Sequence, residues 1–205
     1  MKYFQALAFV FLLSIFGCKT AQNLSINYQQ IVPINADETV NMVIEIPAGS
    51  TAKYEMNKVS YVLEMDSLDN QPRFIDYLGY PGNYGMIPNT ILPKNMGGDG
   101  DPLDVLLLGP AQKRGSVIKV KVIGVLHLLD NGEKDDKLIA IDPNSPWKKV
   151  DNLNELDIYY PGTKTIIATF FQNYKGIGQM ELQAWSGKTK ALQFLQESTL
   201  TPITK

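Results

Sequence analysis

The sequence predicts an α+β fold, an antiparallel sheet or barrel with helices packed against it late in the chain. Two observations carry that prediction. Val, Ile and Leu gather in short runs bounded by Gly and Pro between Met42 and Leu129, as strands require. Apolar residues at i, i+3/i+4 spacing begin only at Ile166. The 205 residues, 44% of them hydrophobic, suffice for one domain with a real core and fall short of two.

The first segment stands apart from that domain. Lys2 is the only charge beside an almost unbroken apolar run from Tyr3 to Phe16. Those fourteen residues reach about 21 Å as a helix, short of the roughly 30 Å bilayer core. Residues 1–17 therefore read as a secretory signal peptide and not as a spanning helix. The run closes on Gly17-Cys18, and Cys18 is the only cysteine, so no intramolecular disulfide can form. The pattern resembles the lipobox of bacterial lipoproteins, in which the cysteine is acylated and becomes the new N-terminus. Phe16 is bulkier than the residue common there, and the alternative is a plain signal peptide with a free thiol at Cys18. The expected organisation is a signal peptide over 1–17, lipidated Cys18 with a flexible polar tether over 18–40, and a folded domain over 41–205. The expected location is the cell envelope, exported and lipid-anchored to a bacterial membrane on its periplasmic side.

Within the domain, residues 42–46 (Met-Val-Ile-Glu-Ile) form the first expected strand, stopped by Pro47 and turned at 48–50. Residues 54–56 and 59–65 continue the β texture, and 103–108 and 117–129 carry the strongest later strand signals. Ile166, Ile167, Phe170, Phe171 and Tyr174 mark one helix face ended by Gly176; Ala191, Leu192 and Leu195 mark a second within 188–197.

Two acidic clusters sit at strand ends, where a sheet could bring them together. Asp99, Asp101 and Asp104 place three carboxylates within six residues directly before a strand; Asp130, Glu133, Asp135 and Asp136 follow another. Crowded like charges repel, and a bound cation relieves the repulsion; either cluster alone also fits a solvated turn. With a single histidine, His127, and one cysteine, zinc lacks its usual ligands. A calcium loop counted from Asp99 fails, because its sixth position is Asp104 and its twelfth Pro110. Magnesium, which takes hard oxygens and completes its shell with water and phosphate, fits best.

Cations complement these carboxylates. Lys53 and Glu55 share a face of an extended strand, Arg73 offers a planar fork suited to phosphate oxygens, and Lys137 stands two residues past Asp135. Tyr174-Lys175 closes the first helix, where Lys175 could equally serve the helix dipole. Tyr80 and Tyr84 bracket a turn, Pro81-Gly82-Asn83, whose plain reading is a core aromatic turn. His127 reads as a packed or edge histidine in an apolar strand. Phosphate-binding P-loop, dinucleotide and serine-hydrolase motifs are lacking. A net charge of −2 gives no basic surface, so no nucleic-acid partner is expected.

Together these residues resemble the soluble family I inorganic pyrophosphatases. Asp99-Gly-Asp101-Pro-Leu-Asp104-Val is similar to the family signature D-[SGDN]-D-[PE]-[LIVMF]-D-[LIVMGAC]. Around it, in the family's order, stand Glu45, Lys53-Tyr-Glu55, Arg73-Phe, Tyr80-Pro-Gly-Asn-Tyr84-Gly, Asp130 with Asp135 and Lys137, and Tyr174-Lys175. The resemblance implies an OB-like, five-stranded twisted antiparallel β-barrel with flanking C-terminal helices, and hydrolysis of pyrophosphate with Mg2+. Asp99, Asp104 and Asp135 would hold an activating metal pair, with Asp104 bridging, and Asp130 a substrate-borne magnesium. Glu45 and Glu55 would line the metal site, Glu55 also facing substrate. Asp101 would accept a proton from the attacking water. Lys53, Arg73, Tyr84, Lys137, Tyr174 and Lys175 would bind the phosphoryl groups, the first three acting in catalysis. A homo-oligomer is expected. Hydrolysis of other phosphoanhydrides, or metal and phosphate binding without catalysis, are the alternatives. Asn131 stands where a Glu is common, Met86 where an aromatic is common, and residues 92–98 lengthen the loop before Asp99.

Overall fold

The computed structural model describes residues 26–92, 97, 98 and 100–200. The signal peptide, Cys18 and Asp99 lie outside the described residues. The strands are β1 (Val40–Ile46), β2 (Tyr54–Met56), β3 (Leu63–Met65), β4 (Ser67–Leu68), β5 (Gln71–Pro72), β6 (Asn83–Met86), β7 (Asp104–Leu108), β8 (Val117–Asp130), β9 (Glu133–Lys134), β10 (Lys137–Ile141) and β11 (Met180–Gly187). Three helices accompany them: α1 (Leu153–Tyr159), α2 (Thr163–Asn173) and α3 (Lys188–Ser198).

Five strands close on themselves. The hydrogen-bonded order β1-β6-β7-β10-β8 returns to β1 through a β1–β8 pairing, which makes the expected five-stranded barrel. The long strand β8 makes closure possible. Its first residues pair with β1, from Val43↔Val117 to Val40↔Val120, and its last pair with β11, from Gly187↔Gly124 to Met180↔Asp130. One pair departs from the antiparallel expectation: β7 and β10 run parallel, in the register Lys137↔Asp104 to Ile141↔Leu108. That register sets the starts of β7 and β10 side by side at one end of the barrel.

Alternate residues along β7 and β10 feed two apolar cores, as a pleat with period 2 demands, while in β1 a register shift between Ile44 and Ile46 sends those two to different cores. Ile46, Leu106, Leu108, Ile139 and Ile141 join α1 and α2 through Leu156, Ile167, Phe170 and Phe171. Met42, Ile44, Val105, Leu107, Leu138 and Ala140 join α3 through Ala191 and Leu195. Because both faces are covered, β1 is buried at every position, Glu45 included.

Two expectations differ from the structure. Of residues 59–65 only Leu63–Met65 is strand, because the Asn57 side chain accepts the Val59 and Ser60 N–H groups and ties the preceding segment into a turn. Residues 26–39, expected within a flexible tether, are held on the domain. Tyr28 donates to the Gly115 carbonyl at 2.9 Å, and Asn89 donates to the carbonyls of Gln29 and Ile31. A polar segment can be fixed through its backbone groups without a hydrophobic run to announce it.

Candidate active site

The barrel end where β7 and β10 begin gathers the polar groups. Asp104 opens β7 and Lys137 opens β10, register partners in the parallel pair. The Lys137 side chain is 1% exposed, so its ammonium must find partners inside the protein. It donates to Asp104 Oδ2 and, at 2.6 Å, to Asp135 Oδ1, with the Tyr84 ring 5.6 Å away. Burial by itself lowers an ammonium, but Asp104 and Asp135 override it and hold Lys137 raised. Burial raises Asp104 despite that lysine. At Asp135 burial pulls upward too, yet Lys137, with Lys175 and Lys53, holds its carboxyl below the ordinary value. The Asp135 Oδ2 atom is buried without a hydrogen-bond partner among the described residues.

Glu45 enters from β1, 5% exposed, and accepts the Met56 N–H at 2.9 Å. Burial, reinforced by Asp104 and opposed by that hydrogen bond and Lys53, pushes its carboxyl up to about 8. Lys53 pairs with Glu55, as two same-face residues of an extended segment can. Asp66 then ties Lys53 to Arg73: its Oδ2 accepts from Lys53 at 3.1 Å and from Arg73 at 2.9 Å. Burial and the Arg73 charge lower Lys53. Asp130, at the end of β8, accepts from Lys175 at 2.5 Å and from the Asn131 amide at 2.9 Å. Burial raises the Tyr84 and Tyr174 hydroxyls well above their usual range, so both are neutral donors. Tyr80 packs between them, 5.0 Å from Tyr84 and 6.0 Å from Tyr174 by ring centroids, in the core role its sequence context allowed.

All the expected site residues among those described line one cleft of about 200 Å3, Asp101 among them, where it pairs with Lys58. Four polar residues of the site were not foreseen as such: Lys58, Asp66, Lys134 and Asp136. Lys134 and Asp136 lay inside the second acidic cluster and were legible there. Lys58 and Asp66 are isolated charges in a turn and between weak strands, and no spacing singles them out.

The donor set suits a hard cation. Among the described residues no three carboxylate, imidazole or thiolate groups converge tightly enough to enclose an ion, since ammonium groups stand between them. Yet Asp135 Oδ2 is a buried carboxylate oxygen with no hydrogen-bond partner among those residues, and Glu45 and Asp104 ionise reluctantly through burial. A divalent cation relieves each of these conditions.

The sequence model of the family described as inorganic pyrophosphatase matches residues 42–201. The inorganic pyrophosphatase of Sulfolobus acidocaldarius is 33% identical over 166 residues, which cover 79% of this chain and 90% of that one. The mitochondrial inorganic pyrophosphatase of Saccharomyces cerevisiae is 37% identical over 166 residues, covering 70% of this chain but 54% of the yeast protein. This chain thus spans about half the length of the yeast relative and nearly all of the archaeal one. An N-terminally truncated vacuolar soluble pyrophosphatase of Trypanosoma cruzi, solved in complex with PPi, superposes with a TM-score of 0.75 at 27% identity, covering 82% of this chain and 69% of that chain. With the family model matched over residues 42–201 and the site residues gathered in one cleft, the chain belongs to the inorganic pyrophosphatase family.

Proposed function

We propose that this protein hydrolyses inorganic pyrophosphate to two phosphates with magnesium as its cofactor. The observation that carries the reading is the interleaving of carboxylates with ammonium and guanidinium groups around a single small cleft. Such a site can hold a polyanion and its cations together, whereas a purely basic or purely acidic one would repel one of the two. The PPi bound to the T. cruzi relative supports the substrate.

Asp104 and Asp135, with Asp99 and Asp130, are the residues to hold magnesium, and Glu45 and Glu55 line the same space. When bound, magnesium supplies positive charge to the phosphate oxygens and acidifies water. The protein's own groups do the rest. Asp66 fixes Lys53 and Arg73 as a pair for the oxygens of one phosphoryl group. Lys137 and Lys175, which line the same cleft, would face the developing charge. Tyr84 and Tyr174, neutral at working pH, donate hydrogen bonds. Asp101, which lines the cleft beside Lys58, accepts the proton of the attacking water.

The envelope location and lipid anchor belong to the proposal as well, supported by the apolar run before Gly17-Cys18. So does a homo-oligomer, for which exposed Ile158 on α1 and Ile166 on α2 provide apolar surface. The decisive experiment measures phosphate release from pyrophosphate by the purified protein. Activity is expected with magnesium, lost on chelation and restored by adding the metal back. No release with magnesium, or full release after chelation, overturns the reading.

A further inference from the structure

At the edge of the cleft a second set of chemistry-bearing side chains is assembled from β8, β11 and the residue just before β10. His127 Nδ1 lies 2.8 Å from Asp136 Oδ2, and His127 Nε2 lies 2.9 Å from Ser186 Oγ. The sheet explains the row. Lys137 pairs with Leu126 across β10 and β8, so extending that register by one residue sets Asp136 opposite His127. On the other flank β11 pairs Ala184 with His127, and Ser186 is the next residue on the same face. Asp136 is itself anchored, 8% exposed and accepting the Leu128 N–H through Oδ1 at 3.2 Å.

We propose that Ser186 is an activated nucleophile, with His127 as its base and Asp136 as the group that orients the imidazole, and that this site cleaves small activated carboxylic esters. Three features support it beyond the two hydrogen bonds. With Nδ1–H donating to Asp136, Nε2 is left to accept the Ser186 hydroxyl proton, the tautomer a serine nucleophile requires. Ser186 is followed by exposed Gly187 and then directly by α3, whose first N–H groups are capped by no side chain and have no acidic residue in the first turn. Those amides, at the positive end of an eleven-residue helix, can stabilise an oxyanion formed next to Ser186. A Cβ placed on Gly187 would meet nothing within 4 Å, so a small ester has room to approach.

The chemistry balances. The Ser186 Oγ–C bond forms at the ester carbonyl as the hydroxyl proton passes to His127 Nε2. The C–O bond to the leaving group then breaks, and the imidazolium returns that proton to the departing oxygen. Water attacks the acyl carbon in the same way, with His127 again taking its proton, and releases the carboxylic acid and free Ser186. Neither metal nor pyrophosphate takes part.

The test uses the full chain with p-nitrophenyl acetate and, in parallel, a fluorophosphonate probe located by mass spectrometry. The wild-type protein is expected to carry the probe on Ser186 and to release p-nitrophenol in chelator, where pyrophosphate hydrolysis is lost. Ser186→Ala should abolish labelling while its pyrophosphatase rate stays as in wild type, which also certifies the fold. His127→Gln and Asp136→Asn should slow labelling by about 100-fold or more. Labelling of another residue, or ester cleavage unchanged in Ser186→Ala, overturns the assignment. Loss of pyrophosphatase activity with labelling intact would strike the proposed function alone.

Discussion

Lys137 shows at the residue scale how this site is balanced. A buried ammonium between Asp104 and Asp135 keeps two carboxylates together, where they would be ligands for a cation. Glu45 shows the same tension from the acid side. Its folded value near 8 lies above the ordinary 4.5, so folding favours its neutral form. Its stabilising contribution is therefore complete below pH 4.5 and is lost as pH rises through 8, by roughly 1.4 kcal/mol per unit. The melting temperature of the chelated protein should fall across that window, and Glu45→Gln should flatten the fall, leaving the part due to Asp104. Equal slopes in both proteins would clear Glu45 of the effect. Asp101 lines the same cleft and pairs with exposed Lys58. Asp101→Asn should lower turnover by about 10²–10⁴, the range of a general base, with metal affinity less affected than in Asp104→Asn. Isothermal titration beside kinetics separates the two, and wild-type turnover in Asp101→Asn would make it a bystander.

At the scale of elements, legibility followed burial pattern and length. β1, β8, α2 and α3 were readable because long apolar runs or helical spacing overrode their surroundings. β6 was hidden: Asn83-Tyr84-Gly85-Met86 carries turn residues, yet it is a strand because Gly85 lets β1 approach. β10, with five residues, is too short for periodicity to speak. α1 was overlooked although Asn152 caps it, accepting the N–H groups of Asn154 and Glu155. The site was more legible than the fold, since its residues cluster in short motifs, while Asp66 and the His127–Asp136–Ser186 row exist only once strands pair. Two glycines mark how tightly the elements meet. A Cβ on Gly85 would fall 1.9 Å from the Val43 carbonyl oxygen, and one on Gly124 would fall 2.7 Å from Leu153 Cγ. The first obstacle is backbone and the second a side chain. Gly124→Ala should cost about 1–3 kcal/mol of stability, and Leu153→Ala beside it should show favourable coupling in a double-mutant cycle. Gly85→Ala has no such partner and should not accumulate as folded protein. Additive losses in the first pair, read from denaturant midpoints, would contradict the packing described.

For the whole molecule the question is where the barrel works. Seven residues, 19–25, separate Cys18 from the first described residue, and even fully extended they span no more than about 25 Å. Because residues 26–39 are held on the domain, less chain separates the barrel from the proposed anchor at Cys18 than the sequence alone implied. Each acyl methylene buried in a bilayer contributes roughly 0.8 kcal/mol, and a single chain binds only marginally, so firm attachment needs the several chains of a lipidated N-terminal cysteine. Among the described residues no helix is long and apolar enough to cross a membrane; in the proposed arrangement Cys18 carries the attachment. Cys18→Ser should therefore move the protein from the membrane to the soluble fraction with its turnover on pyrophosphate unchanged, since among the described residues the cleft draws on nothing before Glu45. Fractionation with an activity assay on both fractions decides it. A wild-type protein that is soluble, or that retains Met1, removes the anchor, while family membership, matched over residues 42–201, rests on none of those residues.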